Sequence, residues 1–128
     1  MAHRTIRAEG APAALGPYSH GVRTGDLLFT SGQVGLDPAT GQLVAGGIEA
    51  ETRRALENLR AVLEAGGSGL DRVVKTSVYV VDLQEYASVN AVYATFFTGD
   101  KPARTTVQVS RLPAGARVEI DAVGTVGG

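Results

Sequence analysis

Residues 72–97 read Arg72-Val73-Val74-Lys75-Thr76-Ser77-Val78-Tyr79-Val80-Val81-Asp82-Leu83-Gln84-Glu85-Tyr86-Ala87-Ser88-Val89-Asn90-Ala91-Val92-Tyr93-Ala94-Thr95-Phe96-Phe97. The first ten are rich in β-branched side chains and predict a strand over 72–81. Asp82, with Glu85 three residues on, resembles a capping box that opens a helix. That helix carries the stripe Tyr86, Val89, Asn90, Tyr93, Phe96 and Phe97, and Gly99 and Pro102 stop it.

Two strands are predicted towards the C-terminus. Over 104–110, Thr105, Val107 and Val109 alternate with Arg104, Thr106 and Gln108. After the turn Pro113-Ala114-Gly115, Val118, Ile120 and Ala122 alternate with Arg117, Glu119 and Asp121. On the N-terminal side, Ile48, Thr52, Ala55, Leu56, Leu59, Val62 and Leu63 make one apolar stripe, predicting a helix over 48–65 with Glu49, Glu51, Arg53, Arg54, Glu57 and Arg60 off it. Gly66-Gly67 ends it. Before it, 21–24 and 27–30 form a hairpin through Gly25-Asp26, 37–41 is a turn, and 42–44 is a short strand.

The predicted order is β-β-β-α-β-α-β-β, an α+β chain with two helices covering one face of a mixed sheet. With the apolar face covered, Arg104, Thr106 and Glu119 are expected to share the other surface. A sheet face without a helix cover is also a surface for self-association.

The 128 residues fit a single domain, 1–128, and 44% hydrophobic residues suffice for a core. A net charge of −1 gives no broad positive field for nucleic acid. The absence of cysteine excludes disulfides, thiolate metal sites and a Cys nucleophile. The start has no apolar signal region and no stretch is long enough to span a bilayer, so a soluble cytoplasmic protein is expected. His3 and His20 lack metal-ligand spacing, so no metal is expected. Neither a phosphate-binding glycine loop nor a GxSxG nucleophile elbow is present.

Five residues in unusual settings remain. Arg104 is either a strand-start surface ion pair or a guanidinium fork for a carboxylate. Glu119 is either a solvated strand residue or a general acid/base tuned by partial burial. Asn90 is a structural amide or a ligand-binding one. Tyr18 is a packed aromatic or an acid/base, and Ser31 a turn cap or a pocket hydroxyl. His20 reads as a lone exposed histidine. Alone, these residues describe only a small α+β domain.

The chain resembles the RidA/YjgF/UK114 family, also called the Rid or L-PSP endoribonuclease family, almost end to end. The resemblance is carried by residues 11–19 (APAALGPYS), 30–38 (TSGQVGLDP), Thr40-Gly41, Val74-Lys75-Thr76, Asp82-Leu83, Val89-Asn90, Phe96-Phe97, residues 102–105 (PART), Arg111-Leu112-Pro113 and 118–122 (VEIDA), in order. It implies a chorismate-mutase-like α+β fold, trimerising through the sheet into a homotrimer with active sites between subunits. It implies hydrolytic deamination of enamines and imines such as 2-aminoacrylate/2-iminopropanoate and 2-iminobutanoate. These are reactive species released by PLP-dependent dehydratases, and the products are a 2-keto acid and ammonia. No cofactor or metal is implied.

By the same resemblance Arg104 binds the substrate carboxylate and Glu119 positions water. Tyr18, Ser31, Gly32, Asn90 and Thr106 match pocket positions, Thr106 standing where relatives often carry Cys. Two other readings stay open. An endoribonuclease or translation inhibitor calls for a basic groove with stacking aromatics, against which stand the charge of −1 and 5% aromatic residues. A non-catalytic metabolite-binding, holdase-like module would use the same clefts.

Overall fold

The apolar stripe of 48–65 folds as helix α1 (Gly47–Ala65), and all seven stripe residues are buried. Its end is a Schellman motif: the N–H of Ser68 bonds the Leu63 carbonyl at 2.8 Å and that of Gly67 bonds Glu64 at 3.1 Å. Gly67 takes φ +87°, which a side chain would resist. The computed structural model, describing residues 2–127, lays α1 and α2 (Tyr86–Phe96) against one mixed sheet.

The strands are β1 (His3–Ile6), β2 (Gly21–Thr24), β3 (Leu27–Thr30), β4 (Gln33–Val34), β5 (Val73–Val80), β6 (Ala103–Gln108) and β7 (Val118–Thr125). They lie in the order β1-β2-β3-β7-β5-β6, with β4 also pairing β7. Every pairing is antiparallel except β5 with β6, the two strands joined through α2. The core gathers Leu28, Leu56, Leu59, Leu63, Val78, Val80, Val118 and Ile120 between helices and sheet. Among the described residues no helix lies over the opposite face, which leaves Leu27, Phe29 and Val107 exposed.

Several expectations are corrected. β1 carries no alternation of its own, yet it pairs β2 from His3↔Thr24 to Ile6↔Gly21. The strand at 42–44 is only an isolated bridge, Leu36↔Leu43, and β4 forms earlier, at Gln33–Val34. Asp82 does cap, taking the Gln84 N–H at 2.9 Å, but a 3₁₀ turn over Leu83–Glu85 follows and α2 begins at Tyr86. Glu85 faces Arg117 at 3.2 Å instead of closing a capping box. Glu51, expected on the solvent side of α1, is 3% exposed, because its carboxylate accepts the Arg117 N–H at 2.8 Å.

The largest correction concerns β6. Its register, Thr76↔Arg104 and Val78↔Thr106, turns Arg104 and Thr106 to the helix side and Thr105 and Val107 outward. The alternation predicted for 104–110 is present, with the opposite facing. β-branched side chains suit a pleated surface whether or not a helix covers it.

Candidate active site

Arg104 is partly buried on edge strand β6, beneath the start of α2. Its guanidinium carbon lies 4.8 Å from the Tyr93 ring centre and 5.4 Å from that of Tyr86. Its Nη2 donates to the Tyr86 hydroxyl at 2.9 Å. Among the described residues no Asp or Glu forms an ion pair with it. A cation held by two rings and lacking a counter-charge is suited to an incoming anion. Burial lifts the Tyr93 phenol above 10.0, against the lowering effects of its Thr76 hydrogen bond and of Arg104, so that phenol stays protonated. On the same helix, Asn90 keeps a buried Oδ1 with no hydrogen-bond partner, and two residues along β6 so does the Oγ1 of Thr106. Unmet buried polar atoms are costly, and a ligand beside Arg104 would give these two a partner.

Glu119 stands on the other side of the sheet. The β3–β7 ladder reaches Phe29↔Val123 and resumes as β4–β7 at Gln33↔Ile120, so one extra residue is accommodated over 29–33. The Thr30 hydroxyl takes up the Ala122 N–H there, at 3.0 Å. The bulged segment carries Ser31 and Gly32 to Glu119. A Cβ on residue 32 would lie 1.8 Å from Glu119 Oε2, so only glycine lets the carboxylate occupy its place. Ser31 Oγ donates to the Ser19 carbonyl at 2.5 Å, and the Tyr18 hydroxyl accepts the Leu15 N–H at 3.0 Å. Leu15, Tyr18, Ser31, Gly32, Val34, Pro113 and Glu119 line a cleft of about 280 Å³. Burial, and secondarily the Asp121 carboxylate, raise the Glu119 carboxyl above its ordinary 4.5.

The structure therefore brings Tyr18, Ser31, Gly32 and Glu119 together, and separately places Arg104, Asn90 and Thr106 on the helix side. It corrects the expectation that Arg104, Thr106 and Glu119 share a surface: within one chain Glu119 pairs across from Tyr79 on the uncovered face. A larger cleft of about 630 Å³ shares Tyr18 but contains neither Arg104 nor Glu119. His20 lines it and is 7% exposed rather than free, its Nδ1 accepting from Ala8 N–H and its Nε2 bonded to the Pro12 carbonyl. No three His, Asp or Glu side chains gather into a metal-holding group among the described residues. The sequence predicts Tyr86 and Tyr93 only as helix-stripe residues. Two tyrosines seven apart, with Asn90 between them on one face, were the available signal.

Residues 8–126 match the profile of the family described as Endoribonuclease L-PSP. The chain is 49% identical to Protein DfrA of Myxococcus xanthus, over 96% of this chain and 95% of that protein. It is 47% identical to the 2-iminobutanoate/2-iminopropanoate deaminase of Mus musculus, over 97% and 92%. The solved structure of E. coli TdcF with bound serine superposes with a TM-score of 0.92 at 37% identity, covering 97% of this chain and 99% of that one. No helix among the described residues is long and apolar enough to cross a membrane.

Proposed function

The chain belongs to the endoribonuclease L-PSP (RidA/YjgF) family, and on that premise we propose that it hydrolyses short 2-imino acids and their enamine tautomers to 2-keto acids and ammonia. The observation that carries the reading is the Arg104 guanidinium, held against two tyrosine rings with no carboxylate partner among the described residues. Relatives named as 2-iminobutanoate/2-iminopropanoate deaminases support the same substrate class. So does the family neighbour that holds serine, a small amino acid carboxylate.

The chemistry follows from two half-sites. Arg104 takes the substrate carboxylate and orients the C=N group. Glu119, ionised, removes a proton from water as the water oxygen bonds to the iminium carbon, giving a carbinolamine. The same carboxyl then gives that proton to the amino nitrogen. As the C–N bond breaks, the regenerated Glu119 carboxylate takes the hydroxyl proton, the oxygen becomes the keto oxygen, and the ammonia leaves with that proton as ammonium. A carboxyl pKa above the ordinary range suits one group to both transfers. The keto acid retains the carboxylate and the ammonia retains the imine nitrogen, so atoms balance with one water consumed.

Because Arg104 and Glu119 lie on opposite faces, a working site takes Arg104 from one subunit and Glu119 from its neighbour. The uncovered sheet face, with Phe29 and Val107 exposed, is the surface such an assembly would bury, and a homotrimer is its expected form. The test is a coupled assay in which a PLP-dependent threonine dehydratase generates 2-iminobutanoate. Keto-acid release should be faster with this protein than without it. Release at the spontaneous rate, with the keto acid nevertheless bound, favours the metabolite-binding module instead.

A further inference from the structure

The two tyrosines over Arg104 use their hydroxyls differently. That of Tyr93 is engaged in the core with Thr76 Oγ1 at 2.8 Å. That of Tyr86 accepts an N–H from Arg104 Nη2 at 2.9 Å. A phenol oxygen carries one hydrogen of its own. Accepting from Nη2 leaves that hydrogen available, beside the guanidinium's positive charge. Tyr86 is 42% exposed, so the residue is accessible to a solute at the mouth of the site. Arg104 meanwhile gives one of its five N–H groups to Tyr86 and keeps the others for an anion.

We propose that Tyr86 and Arg104 form one carboxylate-recognition unit. In it the Tyr86 oxygen holds Nη2 in place while its O–H donates to a carboxylate oxygen seated on the guanidinium. The proposal deepens the reading above and rests on its assignment of Arg104 to a carboxylate. Tyr86 is then a substrate-binding residue rather than the packed helix residue its position on the stripe suggests. The Tyr93 ring supplies the second wall and leaves the polar contact to Tyr86.

The test is Tyr86→Phe in the full, assembled protein. It keeps the ring over the guanidinium and removes one oxygen. Titration with 2-oxobutanoate, a carboxylate that needs no turnover, should give a Kd about tenfold weaker than wild type, the effect of one charge-assisted hydrogen bond. In the coupled assay KM should rise to a similar degree with kcat within about twofold, because the bond persists from ground state to transition state. The thermal midpoint should not move.

An unchanged Kd, or a fall in kcat with Kd unchanged, overturns the proposal. So does a wild-type protein that binds no 2-oxobutanoate. A wild type that binds the keto acid through Tyr86, yet leaves imine hydrolysis at its spontaneous rate, supports this proposal while rejecting the deaminase.

Discussion

At Arg104 the charge is positioned entirely by contacts that a substitution can remove one at a time. Only a guanidinium offers parallel N–H bonds to a carboxylate, whereas an ammonium is a point charge. Losing charge-assisted bonds costs about 1.5–3 kcal/mol. Arg104→Ala should therefore reduce kcat/KM in the coupled assay by one to two orders of magnitude or more, and Arg104→Lys should recover only a small part. Circular dichroism of both should match wild type, since the side chain lies at an edge strand. For Glu119, burial and the Asp121 carboxylate both raise the pKa. The ionised base is lost as pH falls through that raised value, so the acid limb of kcat/KM should lie above the ordinary 4.5. Asp121→Asn removes one of the raising charges and should move that limb to lower pH, whereas an unmoved limb would assign the titration to another group. The sign for stability runs the other way. A carboxyl whose folded pKa exceeds its unfolded one destabilises the fold above that pKa and is neutral well below it. Glu119→Gln should hence raise the thermal midpoint at pH 7, and the gain should vanish near pH 4. Arg104 and Glu119 were legible as functional residues only through the family resemblance, because each in isolation reads as an ordinary strand residue.

Within the elements, legibility followed how local the determining contacts are. The α1 stripe, the Gly25-Asp26 hairpin and the 37–41 turn are local patterns, and all three formed. In the last, the Gly41 N–H bonds the Asp37 carbonyl at 2.7 Å and the Ala39 N–H bonds Asp37 Oδ1 at 2.8 Å. β1 and β4 draw their pairing from strands distant in sequence, so little in their own residues announces them. Of the polar residues buried on α1, Thr52 lies on the stripe, whereas Glu51 and Asn58 were unreadable for the same reason. Asn58 is fully buried and its amide donates to the Val34 and Leu36 carbonyls at 3.0 and 2.9 Å, tying the segment after the bulge to the helix. Its Oδ1 in turn receives Arg54. Asn58→Ala would leave the Leu36 carbonyl unpaired in the interior, while that of Val34 keeps the Leu36 N–H at 2.9 Å, at a cost of about 1–3 kcal/mol. Urea unfolding should show that loss in its midpoint, and Val34, which lines the Glu119 cleft, should loosen with it.

For the whole molecule, the two-layer arrangement was legible and the facing of β6 was not, which left the site split between two surfaces. On the proposed reading of Arg104 and Glu119, that split would make assembly a condition of activity. Sedimentation at micromolar concentration should give a trimer, and a monomer there would remove the basis for a shared site. Phe29→Glu, which puts a charge on the uncovered sheet face far along the strand order from β6, should shift the distribution towards monomer. Activity should fall in step although Arg104 and Glu119 are untouched.

The opposite facing of these two side chains also has a genetic consequence. A subunit carrying Arg104→Ala still supplies a sound Glu119, and one carrying Glu119→Gln still supplies a sound Arg104. Neither homogeneous protein would be active, yet co-expression should produce mixed rings of three in which about one interface in three unites the two intact residues. Two inactive alleles would thus complement each other in a single cell, and a chain carrying both changes would complement neither.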